Sequence, residues 1–285
     1  MIDHSFLREV ENLNLALKKH SSEMEEGRQS GKGKGNGTVF ADHKSYSPGD
    51  DIRKIDWKAY ARTKDLYIKR FEEEKSITVH VLVDRSSSMD YGEENKYDHA
   101  AKIGLALAYM TTNTSDRFRF SVFSETLTEV NHGRRSLKLN GLLETLNNLD
   151  KTPESRLDTC LHQYSNRIKH ESYLVVISDF LVNREKIVDA LHSMENHNTI
   201  LVNTLSPEEL SPTQEGDTLF KHPEKSFKLR TYLTPKTKQK YQRKLEDHIS
   251  MLKEESTKNR AKYIQVNTGE DPLDNFLKVW RELNR

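Results

Sequence analysis

The chain has 285 residues, enough for one large domain or for one domain with a sizeable appendage. Its 45 Lys and Arg residues balance 44 Asp and Glu, so bulk charge makes no case for a nucleic-acid partner or a membrane surface. A single cysteine excludes an intrachain disulfide and a cysteine-based metal cluster. Charges throughout Met1 to His20 and the absence of an apolar run near the roughly 18 residues of a membrane span make a cytoplasmic protein with no membrane span the expectation.

A mean hydropathy of -0.83 confines the core to a few segments. Residues 1 to 25 read as an amphipathic helix through Phe6, Leu7, Val10, Leu13, Leu15 and Leu17. The glycine-rich run Ser30 to Gly37 reads as a connector. It holds no Gly-Lys-Ser/Thr tripeptide, so it is not a Walker A loop, although Lys32 and Lys34 suit a phosphate. Pro48-Gly49 signals a turn, with Trp57 expected as an apolar anchor and a helix over Ile55 to Thr63. Leu66 to Phe71 and Ile77 to Val83 read as strands, and the polar link Glu72 to Ser76 suggests that they form an antiparallel hairpin.

From Ile77 onward strands and helices alternate. Strands are expected at 77–83, 117–123, 173–178 and 199–205, with helices at 97–113, 139–149, 157–169 and 183–196. Nearly continuous apolar strands in such an alternation predict an α/β fold with a mostly parallel sheet covered on both faces. Prolines break the rhythm at 206–235, where a short hairpin insert is expected near 216–230. A charged helix at 235–259, an edge strand at Tyr263 to Val266 and a closing helix carrying Trp280 complete the chain. The organisation expected is an extension over 1–75 and a sheet domain over 76–285.

One loop carries candidate chemistry. In parallel sheets, ligand sites lie beyond the carboxyl ends of strands. The first long strand runs into Asp84-Arg85-Ser86-Ser87-Ser88, which offers a carboxylate and two hydroxyls at alternate positions. A later strand ends in Ser178-Asp179 at the same sheet edge. Hard cations such as Mg²⁺ and Mn²⁺ take oxygen ligands of this kind. Asp and Ser after a strand also serve as turn formers and helix caps, so the loop alone does not decide between the two roles.

The loop resembles the metal-ion-dependent adhesion site of von Willebrand factor A domains. The stretch Tyr46-Ser-Pro-Gly-Asp-Asp-Ile-Arg-Lys-Ile-Asp-Trp57, continued by Ala61-Arg62-Thr63 and Lys69-Arg70-Phe71-Glu72, resembles the signature of the bacterial family called domain of unknown function 58. The resemblance implies a von Willebrand A-like, Rossmann-like fold with an N-terminal helix and β-hairpin extension. It also implies work beside a MoxR-type AAA+ ATPase in chaperone-like assembly. Transferred by position, it assigns Asp84, Ser86, Ser88 and Asp179 to a metal. Ser155 stands where the family has Thr, without the usual preceding Gly and followed by Arg156, and Thr159 is the fallback. In such domains an acidic residue of the partner completes the metal shell, so a client is expected to bind through a bridging carboxylate.

Enzymatic signatures are sparse. Cys160 falls in a helical pattern beside Leu157 and Leu161 and reads as a buried structural thiol. The alternative function is a Mg²⁺- or Mn²⁺-dependent hydrolase at Asp84, but such sites usually gather several carboxylates. Asp50, Asp51, Arg53, Asp56, Trp57 and Arg62 are read as packing the extension. Lys236, Lys238, Lys240, Arg243 and Lys244 form a basic face that offers a nucleic acid little beyond charge.

Overall fold

A computed structural model of the protein describes residues 2–26, 39–47, 50–51, 55–72, 78–114, 117–133, 139–149, 155–212, 216–221 and 228–284. The glycine-rich run, the Pro48-Gly49 turn and Arg53 lie outside these residues. Contacts divide the chain into two units. One joins Met1–Lys18 to Ile77–Arg285, and the other is Lys19–Ser76.

The smaller unit holds β1 (Val39–Ser45), α2 (Trp57–Thr63) and β2 (Tyr67–Glu72); α1 (Ser5–Glu26) has residues in each unit. β1 and β2 pair antiparallel, with a bulge between Phe40 and Asp42. Asp56 caps α2, its Oδ1 accepting from the backbone N–H groups of Lys58 at 3.0 Å and Ala59 at 3.2 Å. Its Oδ2 meets His43 Nε2 at 2.9 Å. Trp57 is not the anchor expected of it. It stands 59% exposed and meets Tyr60 edge-on at 6.2 Å.

In the larger unit, β3 (Thr78–Asp84) leads through α3 (Lys96–Asn113) to β4 (Arg117–Phe123) and β5 (Leu127–Gly133). Then come α4 (Leu139–Asn147), α5 (Leu157–Ser165), β6 (Tyr173–Ser178), α6 (Arg184–Ser193), β7 (Asn198–Leu205) and the single turn α7 (Pro207–Leu210). The antiparallel hairpin of β8 (Gly216–Lys221) and β9 (Lys228–Leu233) appears where the insert was expected. α8 (Pro235–Lys258), β10 (Lys262–Asn267) and α9 (Pro272–Leu283) close the chain.

The main sheet has the order β10-β7-β6-β3-β4-β5 and is parallel except for β5. The expected hairpin of the strands at 66–71 and 77–83 is not formed. β3 does not pair with β2; its neighbours are β4 and β6, both parallel, while β2 pairs with β1. β3 is buried at every position from Val79 to Asp84, which needs cover on both faces; a central parallel strand has that and a two-stranded hairpin does not. β5 also went unforeseen, because Thr128, Glu129, Asn131 and His132 leave it little apolar signal. As an edge strand it needs only one covered face.

Strand alternation builds two cores. Val79, Val81 and Val83 join Val175, Ile177, Ile200 and Val202 under α3, α4 and α9, where Ile2, Phe6 and Val10 also lie. Leu82, Leu174, Val176 and Leu201 point the other way, against Leu157, Cys160 and Leu161 of α5, Ile187 and Leu191 of α6, and Leu252 of α8. The result is the expected three-layer α/β arrangement. Asn147 ties the N-terminus to it, accepting from Ile2 N at 2.8 Å and donating to Ile2 O at 3.0 Å.

Candidate functional site

β3 and β6 lie side by side. The chain leaves β3 toward α3 on one face and leaves β6 toward α6 on the other, so their carboxyl ends form a topological switch point, where ligand sites of parallel sheets lie. Asp84 ends β3, and Ser178 and Asp179 follow at the end of β6. All three are buried.

Asp84 is held from three directions. Its Oδ1 accepts from the N–H of Ser86 at 2.9 Å. Its Oδ2 accepts from Ser178 Oγ at 2.7 Å and from Ser155 Oγ at 3.1 Å. Ser155 reaches it because Arg156 N donates to Ser124 O at 2.9 Å, pinning the segment before α5 to the end of β4. Thr159, the fallback, lies exposed on α5. Burial, together with the neighbouring Asp179 charge, pushes the Asp84 carboxyl up to about 6.

Ser86 Oγ and Ser88 Oγ lie 3.1 Å apart in the turn that follows. Adjacent oxygens of an octahedral Mg²⁺ shell with ligands at about 2.1 Å are separated by about 3 Å. Among the described residues, His, Cys, Asp and Glu form no group of three or more suited to an ion. A cation here would therefore depend on serine hydroxyls beside Asp84. The donor set of Asp84, Ser86, Ser88 and Ser155 is all hard oxygen and matches Mg²⁺ or Mn²⁺ in chemistry.

Asp179 is engaged differently. Its Oδ1 accepts from Leu181 N at 3.2 Å, and its Oδ2 accepts from Lys96 Nζ at 2.8 Å. Phe180, between them, sits at φ 50°, a left-handed conformation costly for a bulky side chain. Three contacts hold it: its N–H donates to Ser178 Oγ at 3.0 Å, its carbonyl accepts from His248 Nε2 at 3.0 Å, and the same carbonyl accepts from Val182 N at 2.7 Å.

Lys96 was not anticipated as part of the site. Its side chain is 0% exposed, and Nζ also donates to Glu209 Oε1 at 2.7 Å. Glu209 belongs to the capping box of α7, where its Oε2 accepts from Ser206 N at 2.8 Å. Burial pulls the Lys96 ammonium down, but Asp179 and Glu209 more than offset that and hold it above the ordinary lysine value. A lone lysine opening a helical pattern reads as a solvated residue; nothing local marks it as buried.

Similar proteins are known by sequence and by shape. Uncharacterized protein Rv1480 of Mycobacterium tuberculosis and uncharacterized protein Mb1516 of Mycobacterium bovis are each 22% identical over 75% of this chain and 70% of their own length. Among solved structures, an aerotolerance-related membrane protein from Bacteroides fragilis aligns at 14% identity and TM-score 0.49, over 73% of this chain and 98% of that one. BatB from Bacteroides thetaiotaomicron aligns at 11% and 0.45, over 73% and 100%. The SpRpn10 VWA domain aligns at 8% and 0.42, over 71% and 94%. No helix among the described residues is long and apolar enough to cross a membrane. The family model described as protein of unknown function DUF58 matches residues 42–251, and this chain belongs to that family.

Proposed function

We propose that this chain is a non-enzymatic protein-interaction module that grips an acidic side chain of a partner through a divalent cation held at Asp84, Ser86, Ser88 and Ser155. The observation that carries the reading is the 3.1 Å spacing of the Ser86 and Ser88 hydroxyls beside a buried Asp84, with Ser155 brought in from another loop. Bound there, Mg²⁺ or Mn²⁺ would supply an electrophilic centre for an incoming carboxylate. The protein's own part is to fix the oxygens and exclude water.

The surroundings suit docking. Tyr91 and Leu181 are each 50% exposed, one just beyond the serine turn and the other just beyond Asp179. Tyr241 of α8, also exposed, lies within electrostatic reach of Tyr91 and Glu209. Exposed aromatic and aliphatic side chains around a polar centre are the composition of an interface core. Hydrolysis finds less support, because Lys96 already takes one of the two carboxylates a metal would need.

The partner proposed is a MoxR-type AAA+ ATPase, with the chain as an adaptor presenting a client; the resemblance around Tyr46 to Glu72 supports this. The test is a pull-down of such an ATPase by the full chain, in Mg²⁺ and in EDTA, with wild type and Asp84→Ala. Capture in Mg²⁺ that is lost both in EDTA and with Asp84→Ala is the expected result. Capture that survives both overturns the metal-bridge reading.

A further inference from the structure

Lys96 occupies a place that ordinary preferences oppose. It is the first residue of α3, where the positive end of the helix dipole disfavours a cation. It is fully buried, which disfavours an ammonium unless it is paired. Its two partners come from different loops, Asp179 after β6 and Glu209 after β7. Gly92 lets the loop before α3 close on the second of these. It sits at φ 94°, and a Cβ there would meet the Ser206 Cβ at 3.1 Å. The tertiary fold thus delivers a tethered cation to a carboxylate of the candidate metal site.

Each Asp179 oxygen already has a partner, Leu181 N on Oδ1 and Lys96 Nζ on Oδ2. A divalent ion drawing on Asp179 would have to share that carboxylate with an ammonium, and the two cations repel across a buried gap. Asp84 is held instead by neutral donors, the hydroxyls of Ser155 and Ser178 and the backbone N–H of Ser86.

We propose that Lys96 is a positioning residue that withholds Asp179 from the ligand set and so sets the affinity of the Asp84 site for divalent cations. The proposal rests on the metal-dependent reading above. Lys96 holds the three loops in place without an ion, and its charge keeps the site's hold on the ion weak and reversible. Removing that charge frees Asp179 as a second carboxylate for the ion.

The experiment measures Mn²⁺ binding to the full chain, using the electron paramagnetic resonance of the free aquo ion and calorimetry, with folding checked by circular dichroism. Lys96→Met is expected to tighten Mn²⁺ binding at least ten-fold, and Lys96→Met with Asp179→Asn to erase that gain. If Lys96→Met leaves too much buried negative charge to fold, Lys96→Met with Glu209→Gln removes one acid along with the lysine. That pair is expected to bind at least ten-fold tighter than Glu209→Gln alone. A smaller gain, or one that persists without Asp179, overturns the role of Lys96 while leaving the metal reading intact. Mn²⁺ bound by no variant overturns both.

Discussion

Ser155 donates its hydroxyl to Asp84 Oδ2 at 3.1 Å across a separation of 71 residues, and Ser178 donates to the same oxygen at 2.7 Å. A buried carboxylate that loses a donor keeps the cost of its own desolvation. Ser178→Ala, which also removes the acceptor of the Phe180 N–H, should therefore destabilise by about 2 to 3 kcal/mol. Ser155→Ala should cost about 1 to 2 kcal/mol, and Thr159→Ala, on the exposed side of α5, less than about 0.5 kcal/mol. Urea denaturation in EDTA, read as the order of midpoints, checks the ranking. Equal effects of Ser155→Ala and Thr159→Ala would contradict it.

His80 pairs with Tyr164 Oη at 2.8 Å within the core, and burial, with Arg119 and His197 adding to it, pulls its pKa down to about 4. A histidine near 6.5 when unfolded and near 4 when folded contributes stability in full above the unfolded value and loses it as pH falls toward the folded one. At pH 4.5 the loss is about 2 to 3 kcal/mol relative to pH 7.5. His80→Phe removes this titration, so its stability should fall less steeply over that window than that of wild type. Chemical denaturation at the two pH values gives the difference, and parallel slopes would refute it.

Gly104 of α3 faces the sheet, where a Cβ would lie 2.7 Å from Phe120 Cε2 and 3.1 Å from Val81 Cγ1. Alanine gains about 1 kcal/mol of helix propensity over glycine, but overpacking against a buried ring costs about 1 to 3 kcal/mol. Gly104→Ala is therefore expected to be net destabilising, and Phe120→Leu to recover part of the loss in the double variant. A double-mutant cycle by thermal denaturation measures the coupling. Additive effects would show that the ring gives way freely.

Cys160 is buried with its Sγ toward Ser124 O at 3.5 Å, and burial pushes the thiol up to about 11. A thiol, not a thiolate, at neutral pH reacts slowly with disulfide reagents. Labelling by a chromogenic disulfide should follow the unfolding rate in native buffer and become immediate in denaturant. Fast labelling of the native protein would contradict this assignment of Cys160 as an inert core residue.

Much of this architecture is legible in the chain itself. The apolar runs at Val79–Val83, Leu174–Ile177 and Thr199–Leu205 announce strands buried on both faces, and the helical periodicities between them announce the covering layers. The same pattern places Asp84 and Asp179 at strand ends, because parallel strands share a carboxyl edge. Local chemistry determines these features, so a local reading finds them.

Pairing and partnership are decided elsewhere. Whether β3 meets β2 or is flanked by β4 and β6 depends on which arrangement buries both faces, a property of the assembled sheet and not of either strand. β5 holds its place through its register with β4, despite weak apolar content. Most telling is Lys96: one lysine among many in the sequence, it becomes a buried cation because two acids from loops 83 and 113 residues away converge on it. Burial is favourable there only because both partners arrive together, and only the tertiary structure brings them.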